Sequence, residues 1–227
     1  MSRIFVVLAV LALLLLGVNF VVGLMGGDFN TVAKQKRAAQ ARLVEAERQV
    51  RAGQGSAADA EAARQAAVEV NDQFQGPRQT MTLHMLLGAG AAMVTVLVNS
   101  ITITYFIGTS RWCKEVCETY HLSPDLAAEG TRLKRSTFPW TLAGILAVII
   151  VVGLGAAADP SGANWGQAPQ YVLPHYLAAM LAIVVVGVSF FVQMGRIADN
   201  SSVIERILRE VERVRTEKGL AIEKVSL

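Results

Sequence analysis

Four long apolar stretches without a charged residue constrain how this chain folds. They cover residues 4–24, 81–108, 140–158 and 176–194. A helix needs roughly 20 apolar residues to cross a bilayer core about 30 Å thick, and lipid offers no partner for open backbone groups. The sequence therefore predicts an all-α integral membrane protein, a bundle of four transmembrane helices. Arg3 precedes the first stretch and no A-x-A site follows it, which favours a retained anchor over a cleaved signal peptide.

The charges beside these stretches predict the orientation. The segment between the second and third spans carries five Lys or Arg residues, and the segment between the third and fourth carries none. Basic residues favour the cytoplasmic side, so we expect residues 110–138, residues 196–227 and the N terminus in the cytoplasm, and residues 159–175 outside. Lys36 and Arg37 would then lie outside, but long loops weigh less in this rule. Compact, Ala-rich spans favour a prokaryotic inner membrane.

Residues 28–79 are predicted to form a helical hairpin on the outer side. Apolar residues recur at helical spacing on both sides of the turn signal Gly53-Gln54-Gly55-Ser56. The hairpin connects the first span, residues 1–27, to the second, residues 80–109. Its apolar face is mostly alanine, which indicates either packing on a neighbouring subunit or a solvated spacer.

The remaining segments carry helical signals of their own. Ser123-Pro124-Asp125 is typical of a helix start; we expect that helix to end near Arg135, with Pro139 opening the third span, residues 139–158. The fourth span, residues 176–195, is followed by an amphipathic, coiled-coil-like helix that stops at Gly219. An a/d stripe on that helix predicts contact with a partner subunit or, alternatively, with this chain's own cytoplasmic segment: Ile197, Ile204, Ile207, Val211 and Val214, with Asn200 at the missing position.

Two histidines form the first candidate site. His84 and His175 lie near the outer ends of the second and fourth spans, at similar depth. Two imidazoles from facing helices suit a b-type haem, a metal or a quinone head group. The alternative is ordinary packing, because small and hydroxyl residues beside His84 suit close helix contact; these are Gly88, Thr95, Asn99 and Thr102.

The cysteines form the second candidate. Cys113, Cys117 and His121 recur every four residues on one helix face, and thiolates with an imidazole suit zinc. A second ligand pair is not visible in the sequence, so two reduced cysteines packed against the next helix are the alternative.

The spans contain no Asp, Glu, Lys or Arg, which argues against a pump, an exchanger or a voltage sensor. A net charge of +3 is too small to indicate nucleic-acid binding. The leading prediction is a non-enzymatic structural, accessory or scaffolding subunit of a membrane assembly, homo- or hetero-oligomeric, that contacts lipid and other subunits. The alternatives are a redox subunit with haem or quinone near His84 and His175, and a signal transducer with a sensing outer hairpin.

Overall fold

A computed structural model describes residues 2–162 and 165–219 of the chain. Its regular elements are five α-helices, and no strand occurs within those two ranges. The predictions for the end of the C-terminal segment and for part of the loop before the fourth span concern residues outside these two ranges. The helices are α1 (Ser2–Met25), α2 (Phe29–Arg51), α3 (Ala57–Tyr120), α4 (Pro124–Ala158) and α5 (Ala168–Glu217).

Four of these helices, α1, α3, α4 and α5, are long and apolar enough to cross a membrane. The four spans read from the sequence fall within them, one in each. Three of the helices extend well past the bilayer thickness. At 1.5 Å per residue, the 64 residues of α3 make a helix about 96 Å long.

The predicted hairpin consists of α2 and the first part of α3. The Asp28 side chain caps α2 by accepting a hydrogen bond from the Thr31 backbone N–H. Gly53 has φ +70°, a left-handed conformation that glycine adopts without steric cost, and it lies in the turn. Near the turn, Arg64 and Glu47 form an ion pair of 3.2 Å that joins the two helices. This pair is largely exposed and stabilises little.

Three prolines lie inside helices rather than at their ends: Pro77, Pro139 and Pro174. The prediction of a helix end near Arg135 is wrong, because α4 runs unbroken from Pro124 to Ala158. Proline removes one backbone hydrogen bond, but membrane helices tolerate it where hydroxyl groups and neighbouring helices satisfy the freed groups. Pro139 frees the carbonyl of Arg135; the hydroxyl bonds nearby go to other carbonyls, from Thr137 to Leu133 and from Thr141 to Phe138.

The chain forms two compact units. One unit comprises Leu14–Ala92 and Ile149–Leu181 and includes the hairpin. Its buried aromatic contact is Phe29 stacked on Phe74, with ring centroids 5.4 Å apart. The other unit comprises the described parts of Met1–Leu13, Met93–Val148 and Ala182–Leu227.

Polar side chains are buried in this second unit. The Gln193 Nε2 donates to Asn99 Oδ1 at 2.9 Å and to Ser189 Oγ at 2.7 Å. The Ser189 hydroxyl in turn donates to the Trp140 carbonyl at 2.7 Å. Helices α3, α4 and α5 are thus joined by one hydrogen-bonded chain, which orients the helices more than it stabilises them.

The C-terminal part of α5 packs on its own chain. Ile197 and Ile207 of the predicted stripe are buried, and so is Val203, which the heptad pattern omits. Asn200 is fully buried, and its Nδ2 donates to the Tyr105 and Thr109 hydroxyls of α3 at 3.0 Å each.

The other positions of the stripe, Ile204, Val211 and Val214, are half-buried. Contact within the chain, the alternative predicted for the stripe, is what the structure has at Ile197 and Ile207. Contact with a partner subunit stays a prediction for the three half-buried positions.

Candidate functional site

The His84 imidazole is held between α3 and α1. Its Nδ1 lies 3.1 Å from the backbone carbonyl oxygen of Asn19. Gly23, one turn further along α1, lies against the same ring: a Cβ on Gly23 would meet His84 Cε1 at 2.8 Å. That approach is closer than a real Cβ makes, so only glycine fits here without displacing the ring.

The His175 imidazole is held in the same way between α5 and α4. Its Nδ1 lies 3.1 Å from the carbonyl oxygen of Val151, and a Cβ on Gly155 would meet its Cε1 at 3.0 Å. Each histidine therefore has a backbone carbonyl on one ring nitrogen and a glycine against its edge.

These contacts fix the tautomer of both rings. A carbonyl oxygen only accepts hydrogen bonds, so the bonded nitrogen must carry the proton, which places N–H at Nδ1 of His84 and of His175. In the neutral ring, Nε2 then keeps its lone pair. Metal-ligating histidines commonly use this arrangement, with the far nitrogen donating to a carbonyl or carboxylate that orients the ring.

The two rings are neighbours in a nearly perpendicular arrangement. The ring centroids of His84 and His175 are 6.2 Å apart, and the planes cross at 81°. A metal bonds an imidazole nitrogen at about 2.0–2.1 Å, and that nitrogen lies roughly 1.1 Å from its ring centroid, so two rings on opposite sides of one metal have centroids about 6.2–6.4 Å apart. The centroid separation of His84 and His175 falls within that range.

Polar and aromatic groups lie beside the pair. The Asn19 Oδ1 is buried and has no hydrogen-bond partner among the described residues. A buried acceptor of this kind calls for a water or a ligand. Phe20, which follows Asn19 in the sequence, stacks on Tyr176, which follows His175, with ring centroids 5.4 Å apart. The sequence analysis missed Asn19, Gly23, Val151 and Gly155. Asn19 and Val151 contact the histidines through their backbone carbonyls, and Gly23 and Gly155 make room for the rings because they have no side chain.

Two of the three residues of the cysteine candidate, Cys117 and His121, line one cavity, and Cys113 does not line it. His121 follows the end of α3 with φ 55°, so it leaves the helix that carries Cys113 and Cys117. Both cysteines are buried, and Cys113 Sγ packs against Gly130 of α4. The cavity lined by Cys117 and His121 has a volume of about 590 Å³. Within residues 2–162 and 165–219, no three His, Cys, Asp or Glu side chains are grouped to hold a metal.

The small and hydroxyl residues beside His84 on α3 are largely in contact with other helices. A Cβ on Gly88 would meet the Asn19 Nδ2 at 3.1 Å. Thr95, Asn99 and Thr102 are buried, and Asn99 bonds across to Gln193 of α5. The Thr102 hydroxyl bonds within α3, to the Val98 carbonyl.

Comparison with known proteins gives no relative: no family model, no curated protein and no solved structure matches this chain.

Proposed function

We propose that this chain is a membrane redox subunit that binds a b-type haem through His84 and His175. The observation that carries the proposal is the geometry of the pair, with ring centroids 6.2 Å apart and each Nδ1 bonded to a backbone carbonyl. Two axial imidazoles are one of the ligand sets that proteins give to haem iron, and the axial ligands set its potential.

The number of ligands favours haem over a metal ion bound by protein alone. Structural zinc takes four protein ligands and catalytic zinc usually three, whereas the macrocycle of haem supplies four nitrogens of its own. His84 and His175 would hold the iron between α3 and α5. Because both Nδ1–H groups donate to carbonyls, the imidazoles would be oriented before the iron arrives, and their basicity would be raised.

A haem held by His84 and His175, near one end of the spans, would supply electron transfer on one side of the hydrocarbon core. The chain would therefore work with another redox protein or a quinone at that side, as a subunit of a larger assembly. Two features of the protein would set the potential of the iron. One is the low polarity of the surroundings, and the other is the pair of hydrogen bonds from the imidazoles to backbone carbonyls.

The test is the absorption spectrum of the protein purified in mild detergent from cells supplied with haem precursor. We expect a Soret band, with iron and haem near one per chain. His84→Ala and His175→Ala each lose the band, whereas His121→Ala, the third histidine of the chain, keeps it as a matched control. A colourless, folded wild type after haem reconstitution, or a Soret band that survives in both His84→Ala and His175→Ala, contradicts the proposal.

A second candidate function is the non-enzymatic accessory subunit, and the exposed apolar side chains of the hairpin favour it. Val44 is 61% exposed and Val68 55% exposed, on a hairpin outside the predicted spans, where lipid does not cover them. A partner subunit covering these valines would explain the exposure. Native mass spectrometry decides: loss of a co-purifying subunit in Val44→Asp supports this candidate, and a bare monomer in the wild type contradicts it.

A further inference from the structure

A cavity of about 420 Å³ lies where the hairpin meets the apolar part of α3. The apolar part of its wall consists of Phe29, Phe74, Met81 and Met85. Most of the rest of its wall is polar, and three of those polar residues are basic. The cavity thus has two chemically different surfaces at the level where a helix enters the hydrocarbon, and its volume lies within the range of small-molecule sites.

The basic residues of this cavity are Lys36, Arg37 and Arg78. The Lys36 Nζ lies 4.3 Å from the centroid of the Phe74 ring, and Arg37 lies over the Trp165 ring while its guanidinium donates to the Pro160 carbonyl. None of the three forms an ion pair with any carboxylate in the described part of the chain. The wall also carries Asp159, whose Oδ1 accepts a hydrogen bond from the Ser161 backbone. With three cations and one carboxylate, the lining of the cavity has a net positive charge.

A second cavity with basic residues lies between α4 and α5, and it differs from the first in that most of its cations are paired with carboxylates. It is lined by three arginines, but Arg206 pairs with Glu129 at 2.7 Å and Arg196 with Asp199 at 3.8 Å. Those charges are largely satisfied inside the chain. Of these two cavities, the one at the hairpin has no basic residue paired with a carboxylate of the described residues, and it has an apolar wall beside its cations.

We propose that the cavity at the hairpin binds the headgroup of an anionic phospholipid. Lys36 and Arg78 would contact the phosphate, because ammonium and guanidinium groups form short, charge-assisted hydrogen bonds with phosphate oxygens. Met81 and Met85 would contact the glycerol and the first methylenes of the acyl chains. Arg37 would hold the wall in place through its bond to Pro160 and its contact with Trp165. A basic residue near an anionic lipid surface raises affinity about fivefold.

The experiment titrates the detergent-solubilised protein with phosphatidylglycerol and, separately, with phosphatidylcholine, and counts bound lipid by native mass spectrometry. We expect phosphatidylglycerol to bind more tightly, and the double variant Lys36→Gln/Arg78→Gln to weaken it about 30-fold. The control is Lys34→Gln/Arg42→Gln, which removes two exposed cations of α2 that do not line the cavity. Its affinity should stay within about twofold of the wild type.

Two further arms distinguish the source of the phosphate and guard against misfolding. Inorganic phosphate should fail to displace phosphatidylglycerol at equal concentration, because it lacks the apolar part; displacement would identify a free-phosphate site and overturn the lipid proposal. In the unaltered protein, affinity for phosphatidylglycerol should fall as sodium chloride rises. Equal losses in the cavity variant and the control, or equal binding of both lipids, overturn the proposal.

Discussion

Replacing Gly23 with alanine tests whether the His84 ring is held in a fixed position. The added Cβ would lie 2.8 Å from Cε1 and 3.1 Å from Nδ1 of His84, whereas ordinary contact begins at 3.4 Å. The ring must therefore move by about 0.6 Å, and the bond from Nδ1 to the Asn19 carbonyl, now 3.1 Å, is in the way. The His175 ring lies beside the His84 ring, with the ring centroids 6.2 Å apart.

The expected cost follows from overpacking. An extra methyl group forced into a packed site destabilises by about 1–3 kcal/mol. Alanine is the better helix former by up to about 1 kcal/mol, which offsets part of this. We expect Gly23→Ala to lower the free energy of unfolding by about 1–2 kcal/mol. On the scale of soluble proteins of this size, that lowers Tm by about 2–8 °C.

The assay is thermal unfolding in one detergent, for single and double variants. Gly17→Ala is the matched control, because it lies on the same helix and its Cβ would meet nothing within 4 Å. Its Tm should be unchanged or slightly higher. In a His84→Ala background the ring is gone, so Gly23→Ala should lose its penalty; the double-mutant cycle then isolates the coupling between the two positions.

Two results would refute this reasoning. If Gly23→Ala and Gly17→Ala unfold at the same temperature, the imidazole moves freely and is not preorganised. If Gly23→Ala costs as much with His84 replaced as with it present, the penalty comes from another neighbour of α1.

Two other predictions concern the rest of the chain. Gln193→Leu removes the donor to Asn99 Oδ1 and should lower stability in detergent by about 0.6 kcal/mol, the average for such bonds between membrane helices; an unchanged Tm would contradict it. The Asp28 carboxylate accepts hydrogen bonds from the Thr31 hydroxyl and backbone N–H, which lowers its pKa. The extra stabilisation by the charged carboxylate is present above the ordinary carboxyl pKa and is lost as pH falls through the lowered value. Asp28→Ala should therefore destabilise by about 1 kcal/mol at neutral pH and by less in strong acid, a difference that unfolding at several pH values measures.

The sequence placed the two histidines at one depth, because residues can be counted from the ends of apolar stretches. It did not show what holds them. Every residue offers a carbonyl like those of Asn19 and Val151, and glycine is frequent in membrane helices, so no residue pattern marks Gly23 or Gly155. Such contacts depend on how neighbouring helices are rotated, which only the three-dimensional structure provides.

The helix boundaries differ for a local reason. Pro139 predicts a break in water, but a helix in lipid continues through proline because an open backbone is costlier there. The buried face of α5 differs from the predicted stripe because α5 packs against more neighbours than the heptad pattern assumes. A heptad pattern assumes a narrow seam against one partner, whereas α5 buries Val203 as well as Ile197 and Ile207, the wider face of a helix packed in a globular core.

The hydrogen bonds of Asn99 have a consequence for synthesis in the membrane. Its Nδ2 donates to the Thr95 carbonyl one turn back, at 2.8 Å, so α3 satisfies this donor alone while its Oδ1 stays open as an acceptor. Helix α5 emerges from the ribosome later. Within α5, Gln193 Nε2 donates one hydrogen to Ser189, and its second hydrogen has no acceptor on that helix. Docking of α5 onto α3 supplies an acceptor for that hydrogen, so the bond from Gln193 to Asn99 favours the docked pair of helices by about 0.6 kcal/mol.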